Sequence, residues 1–148
     1  MRFWDTSAIM PLISREPLSD DARKFLEEGE GIVVWWATRV ECVSAISRRA
    51  REGSLDPEGE AAARDLLSDL SGSWTEIQPS SLLRAVAEQT LAAHPLRAAD
   101  ALQLASALIW CGSEPRGRPF VCLDERLRAA ASRSGFTLLP GMLVSGPL

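Results

Sequence analysis

The sequence predicts an α/β fold of three layers, with helices on both faces of a parallel sheet of four to five strands. Two observations carry this. Short apolar runs alternate with helix-length amphipathic stretches along all 148 residues, and the joints between them are short enough to make successive elements neighbours. The run at residues 32–36 is apolar throughout, as befits a parallel strand buried on both faces.

The elements follow in order. Residues 1–5 make a first strand ending at Asp5, and Thr6 and Ser7 can cap the helical turn at 8–13. Residues 18–28 form an amphipathic helix stopped by Gly29 and Gly31, and strand 32–36 follows. Thr38 caps a third helix running to about residue 52, where Gly53 ends it. Pro57 starts a helix through residue 70, residues 74–77 make a weak third strand, and Pro79 opens a helix through residue 92. The His94-Pro95 break precedes a helix over 97–111. A polar loop at 112–119, carrying Arg116 and Arg118, leads to a fourth strand at 120–123, a helix at 125–132 and a last strand at 136–139. With no repeat, low-complexity tract or long linker, residues 1–148 read as a single domain.

Composition narrows the class. Hydrophobic content of 46% and charged content of 24% suit a globular protein with a substantial core. The first residues show no basic region followed by an apolar run, so no signal peptide is expected. The apolar stretch at 104–111 is too short to span a bilayer, and the expected location is the cytoplasm, without membrane association. Cys42, Cys111 and Cys122 have no metal-ligand spacing and read as apolar filler in a reducing compartment. Net charge is −4, which argues against tight nonspecific binding of long duplex DNA. All cations except Lys24 and the amino terminus are arginines, and arginine grips phosphate bidentately.

Four acids stand out. Asp5 and Asp124 follow apolar strands, and Glu41 and Asp100 lie inside apolar helical patterns. Ligands to open α/β sheets bind beyond the carboxyl ends of the strands, where Asp5 and Asp124 fall. In helix 38–52 the expected core stripe is Val40, Val43, Ile46 and Ala50, with Glu41 on a face shared with Ser44, Ala45 and Arg48. In helix 97–111 the residues Arg97, Asp100, Gln103 and Ser106, spaced three apart, form one polar stripe. Burying carboxylates is costly unless they are paired or bind a cation, and oxygen-only ligands suit Mg²⁺ or Mn²⁺. Each acid also has a plain reading: Asp5 and Asp124 as helix caps, and Glu41 and Asp100 as partners of Arg48 and Arg97. The plain readings explain the set of four poorly.

These residues resemble the PIN-domain nucleases, and most closely the VapC toxins of prokaryotic toxin–antitoxin pairs. The matching pieces are Phe3-Trp4-Asp5-Thr6-Ser7-Ala8, Thr38-Arg39-Val40-Glu41, the segment from Arg97 to Ala105, and the segment from Val121 to Leu127. The resemblance implies a Mg²⁺-dependent endoribonuclease, with Mn²⁺ able to substitute, and an acidic metal site of Asp5, Glu41, Asp100 and Asp124. Asp5, Asp100 and Glu41 would hold or orient a first ion and Asp124 would support a second, with Thr6 or Ser7 orienting the first carboxylate. A divalent ion would activate water and neutralise phosphate charge, giving 5′-phosphate products. It further implies a tRNA or rRNA substrate, a VapB-like antitoxin partner and a homodimer. Arg97, Arg48 and Arg126 are candidates to contact the RNA backbone. Trp35, Trp36 and Trp110 could stack bases but read better as packing residues.

The chain departs from the resemblance at Cys122, where many relatives carry Thr or Ser, and at Gln103, where many carry His. The thiol is the weaker hydrogen-bonding group, so Asp124 is expected to be held less firmly. A catalytically weak PIN-like module that binds RNA or protein is the alternative. A phosphatase with Asp5 as nucleophile is disfavoured because Ser7 stands where a second Asp is needed, and a phospho-receiver lacks its late lysine.

Overall fold

The computed structural model describes residues 1–143. The strands are β1 (Arg2–Trp4), β2 (Ile32–Trp35), β3 (Thr75–Ile77), β4 (Pro119–Val121) and β5 (Thr137–Leu139). The helices are α1 (Thr6–Ile13), α2 (Ser19–Glu28), α3 (Thr38–Arg51), α4 (Pro57–Ser71), α5 (Ser81–Ala93), α6 (Ala98–Trp110) and α7 (Glu125–Ser134). All strand pairs are parallel, in the order β3-β2-β1-β4-β5. The three-layer α/β/α arrangement and the parallel sheet, here of five strands, are as expected.

Alternation along the strands builds one core on each face. Phe3, Val33, Trp35 and Phe120 point to the face covered by α5, α6 and α7, where they meet Leu83, Leu104 and Leu127. Trp4, Ile32, Val34 and Val121 point to the other face, where they meet Ile9, Ile46 and Leu67 from α1, α3 and α4. Side chains alternate across a strand, so consecutive large residues fill both layers.

Order in the sheet positions the site. The chain builds outward from β1 through β2 to β3, then returns to the other side of β1 to lay down β4 and β5. The switch point of this open sheet is therefore the β1/β4 junction, where such folds form a crevice. Register pairs Trp4 with Val121, so Asp5 and Asp124 emerge on either side of that junction.

Several local expectations are corrected. Asp5 ends no strand; it is the N-cap of α1 and accepts from the Ser7 backbone N–H, so Thr6 and Ser7 lie inside the helix they were expected to cap. Thr38 is likewise the first residue of α3, and its cap position, Ala37, makes no side-chain cap bond. Ser80, whose hydroxyl accepts from Leu83 N–H, caps α5 rather than Pro79. The core stripe of α3 runs through Thr38, Cys42, Ala45 and Ile46, while Val40 is 66% exposed, a rotation of the expected face by about one residue position. Helix α7 extends two residues further than expected because Gly135, at φ +113, adopts the left-handed conformation that stops it. No helix among the described residues is long and apolar enough to cross a membrane.

Candidate metal centre

Each of the four acids occupies a helix N-terminus. Asp5 and Asp124 cap α1 and α7, and Glu41 and Asp100 lie in the first turns of α3 and α6. Unpaired N–H groups make helix N-termini electropositive, so each carboxylate sits where its own helix favours negative charge. The plain reading of Asp5 and Asp124 as caps is thus true of their local roles; the cap bond of Asp124 uses Oδ1 alone, whereas both oxygens of Asp5 accept from Ser7 and keep only further lone pairs.

Asp5 is 4% exposed. Its backbone N–H donates to the Val121 carbonyl at 3.1 Å. The Ser7 hydroxyl donates to Oδ1 at 2.8 Å, and the Ser7 backbone N–H donates to Oδ2 at 3.3 Å. Burial pushes the Asp5 carboxyl up from 3.8 to about 7; the Ser7 bonds oppose this, and the nearby Asp124 charge adds to it. Ser7 Oγ also accepts from Leu123 N–H at 2.8 Å, which ties the start of α1 to the segment after β4. Cys122 packs beneath, its Sγ 3.9 Å from Ser7 Oγ and 3.6 Å from the Asp124 carbonyl. Burial and then the Asp5 charge push this thiol up, so it stays protonated.

The thiol meets the backbone of Asp124, whose carboxylate is held separately. Its Oδ1 accepts from Leu127 N–H at 2.9 Å, a side-chain cap bond made within its own helix.

Glu41 is held through Oε2 alone, by the Thr6 hydroxyl at 2.6 Å and Gln103 Nε2 at 2.9 Å. Asp100 accepts no hydrogen bond from the described residues. Its carboxyl is raised first by burial, then by the charges of Asp124 and Glu41, against the opposing pull of Arg97 and Arg126. Asp100 feels Asp124 and Glu41, and Asp5 feels Asp124; the four acids share one electrostatic neighbourhood at the carboxyl edge of the sheet.

Among the described residues, none of the four makes an ion pair, and neither Arg48 nor Arg97 joins one. The pairings Glu41–Arg48 and Asp100–Arg97 therefore do not form. Four carboxylates share this neighbourhood without an ion-paired protein cation, and their donors are all hard oxygens, a chemistry that suits a small divalent ion. No three Asp, Glu, His or Cys side chains among the described residues lie close enough to cage an ion by themselves. Mg²⁺ commonly keeps several waters and takes one or two carboxylates, so the donor set fits a largely hydrated ion and not a closed protein cage.

A cleft of about 990 Å³ lies at the other end of the sheet, lined by Cys111, Pro115, Arg116, Arg118 and Gly135 among others, far from the acids. Of the tryptophans weighed for stacking, Trp35 is core and Trp110 packs on Phe3 with Arg118 over its ring. Trp36, 49% exposed, is the one of the three open to a partner.

Two residues carry more of the site than their sequence roles suggested. Gln103 sits at its centre although it stood out only as a member of a polar stripe and as a departure from His. Thr38, expected as a cap, instead accepts from Gln103 Nε2 at 3.1 Å. The stripe itself ends at Gln103, because the Ser106 hydroxyl turns back onto the Leu102 carbonyl.

The chain matches the family model described as PIN domain over residues 2–132. A search of curated proteins returns no match. Among solved structures, a toxin–antitoxin complex from Klebsiella pneumoniae is similar, with TM-score 0.60 and 18% identity over 97% of each chain. FitAcB from Neisseria gonorrhoeae is similar with TM-score 0.65 and 16% identity, over 92% of this chain and 96% of that one. At such identities the likeness is one of fold.

Proposed function

Since the chain belongs to the PIN domain family, whose model spans residues 2–132, we propose that it is a Mg²⁺- or Mn²⁺-dependent endoribonuclease, a VapC-like toxin neutralised by a cognate antitoxin. The observation that carries this reading is that Asp5, Glu41, Asp100 and Asp124 share one electrostatic neighbourhood at the helix N-termini along the carboxyl edge of the sheet, with no ion pair to a protein cation among the described residues. PIN domains are generally nucleases.

In this reading Asp5, Asp100 and Asp124 present carboxylate oxygens to the ion, and Glu41 presents Oε1, since Oε2 is committed to Thr6 and Gln103. When bound, the ion supplies an activated water and neutralises charge on the phosphate. Ser7 ties Asp5, on the β1 side of the crevice, to the segment after β4, and the cap bond of Asp124 fixes that carboxylate on the β4 side. Arg97 and Arg126 stand near Asp100 and, with Arg48, would meet the RNA backbone. The substrate is tRNA or rRNA, the working form is a homodimer of single domains spanning 1–148 in the cytoplasm, and the antitoxin is VapB-like. Support for the antitoxin is the fold shared with a chain from a toxin–antitoxin complex.

The test is cleavage of total tRNA and rRNA by the purified protein with Mn²⁺, beside an EDTA control and Asp100→Asn. Discrete products with 5′-phosphates, absent from both controls, are expected. Cleavage that persists in Asp100→Asn would rule out the assigned site. A second reading, a PIN-like module that binds RNA or protein without cutting, draws on the lack of a three-residue cage among the described residues. RNA binding that is indifferent to Mn²⁺, with no cleavage, would favour it.

A further inference from the structure

Gln103 is 2% exposed and lies where α1, α3 and α6 meet. Its Nε2 reaches Glu41 Oε2 at 2.9 Å, Thr6 Oγ1 at 3.1 Å and Thr38 Oγ1 at 3.1 Å. An amide offers two protons, so three acceptors share them, and the charged Glu41 oxygen is the nearest. The Thr6 hydroxyl spends its own proton on the same Glu41 oxygen at 2.6 Å. Two donors therefore converge on Oε2, while no described residue donates to Oε1.

The other end of the amide shows the strain of this arrangement. Gln103 Oε1 is buried and has no hydrogen-bond partner. An unsatisfied buried acceptor costs about 1–3 kcal/mol, and a methionine or leucine of similar volume would avoid it. Turning the amide over would give Oε1 the Thr38 hydroxyl, since the Thr6 proton is committed to Glu41, but would set it against the Glu41 carboxylate. The orientation present satisfies the charge at the expense of the carbonyl, so placing Glu41 outweighs satisfying the core.

We propose that Gln103 is a positioning residue of the acidic site: with Thr6 it fixes the Glu41 carboxylate by Oε2, so that Oε1 alone faces the divalent ion. This rests on the metal-dependent reading above. The three helices that Gln103 joins bring Asp5, Glu41 and Asp100, so one amide sets the register of three of the four acids.

The test is calorimetric titration of the full chain with Mn²⁺, with Tm in EDTA measured alongside. Wild type, Gln103→Met, Gln103→His, Asp100→Asn and, as a control on the same helix, Ser106→Ala are compared. Gln103→Met is expected to weaken Mn²⁺ binding by about tenfold to a hundredfold, the range for groups that orient metal ligands. Gln103→His, which keeps an N–H donor, is expected to bind within about threefold of wild type on the same footing, and Ser106→Ala to match it. A purely structural role would lower Tm in EDTA and leave the affinity of the folded protein unchanged. Wild-type affinity in Gln103→Met, with binding lost in Asp100→Asn, would overturn the positioning role and leave the metal site standing. No Mn²⁺ binding by wild type would overturn both. Should Gln103→Met not fold, Gln103→Asn keeps the amide but shortens its reach, and carries the same expectation.

Discussion

Replacing Asp5 by Asn should stabilise the metal-free protein while destroying its response to metal. Burial raises the Asp5 carboxyl from 3.8 to about 7, so the folded state holds a proton that the unfolded chain releases. Stability linked to this group is full below pH 3.8 and falls as pH rises, until it is lost above about 7. A rise of that size corresponds to about 4 kcal/mol at 1.36 kcal/mol per tenfold, an upper figure because water reaches the edge when the protein breathes. Asn is isosteric, keeps one of the two bonds from Ser7 through its single oxygen and carries no charge to bury. At pH 8 in EDTA, Asp5→Asn should therefore exceed wild type by about 3 kcal/mol, or about 6–12 °C in Tm for a chain of this length. At pH 4 the difference should shrink to near zero. Adding Mn²⁺ at about 100 times Kd should return about 2.7 kcal/mol to wild type alone and close most of the gap. Urea unfolding across pH 4–8, with EDTA and with Mn²⁺, measures all of this. A wild-type-minus-mutant difference that does not change with pH would refute the burial argument, as would a mutant less stable than wild type at pH 8.

Three further outcomes follow from the same geometry. Asp124→Asn should leave stability within about 0.5 kcal/mol, because Asn caps helices as well as Asp, whereas Asp124→Ala should lose about 1 kcal/mol; both should abolish cleavage, and thermal melts beside the tRNA assay separate the effects. Ser7→Ala should cost about 2 kcal/mol by stripping a donor from Asp5 and stranding the Leu123 N–H, which denaturant titration would read. Arg97→Ala should weaken RNA binding and reduce its salt dependence by about one phosphate contact; filter binding at several salt concentrations is the check.

Much of the fold could be read from the chain because its signals are periodic. The all-apolar β2 and the alternating helices determine the class, and the carboxyl-edge rule for open sheets placed Asp5 and Asp124. Capping was less legible. Asp5-Thr6-Ser7 and Thr38 offer several oxygens near each helix start, and which one caps depends on tertiary demands: Ser7 is drawn to Leu123, and Thr38 to Gln103. The α3 stripe was misphased because Val40 is apolar yet exposed, while the inward Thr38 is polar; hydropathy alone cannot rank such a pair. Gln103 was legible as part of a polar stripe but not as the hub, since its partners come from 62 to 97 residues away.

The pairing of β1 with β4 also bears on when the carboxylate edge comes into being. Phe3 lies beside Phe120, so the central strand waits for most of the polypeptide before it gains its second neighbour. A ribosome adding about 5–20 residues per second must deliver nearly the whole chain before Asp5 and Asp124 can meet across that seam. Throughout that interval β1 presents one unpaired edge, and the acids are apart. Contacts of long sequence separation form late and slowly. The β1–β4 seam is thus among the last native strand pairs to form, and the meeting of Asp5 and Asp124 across it comes late in the life of the nascent chain.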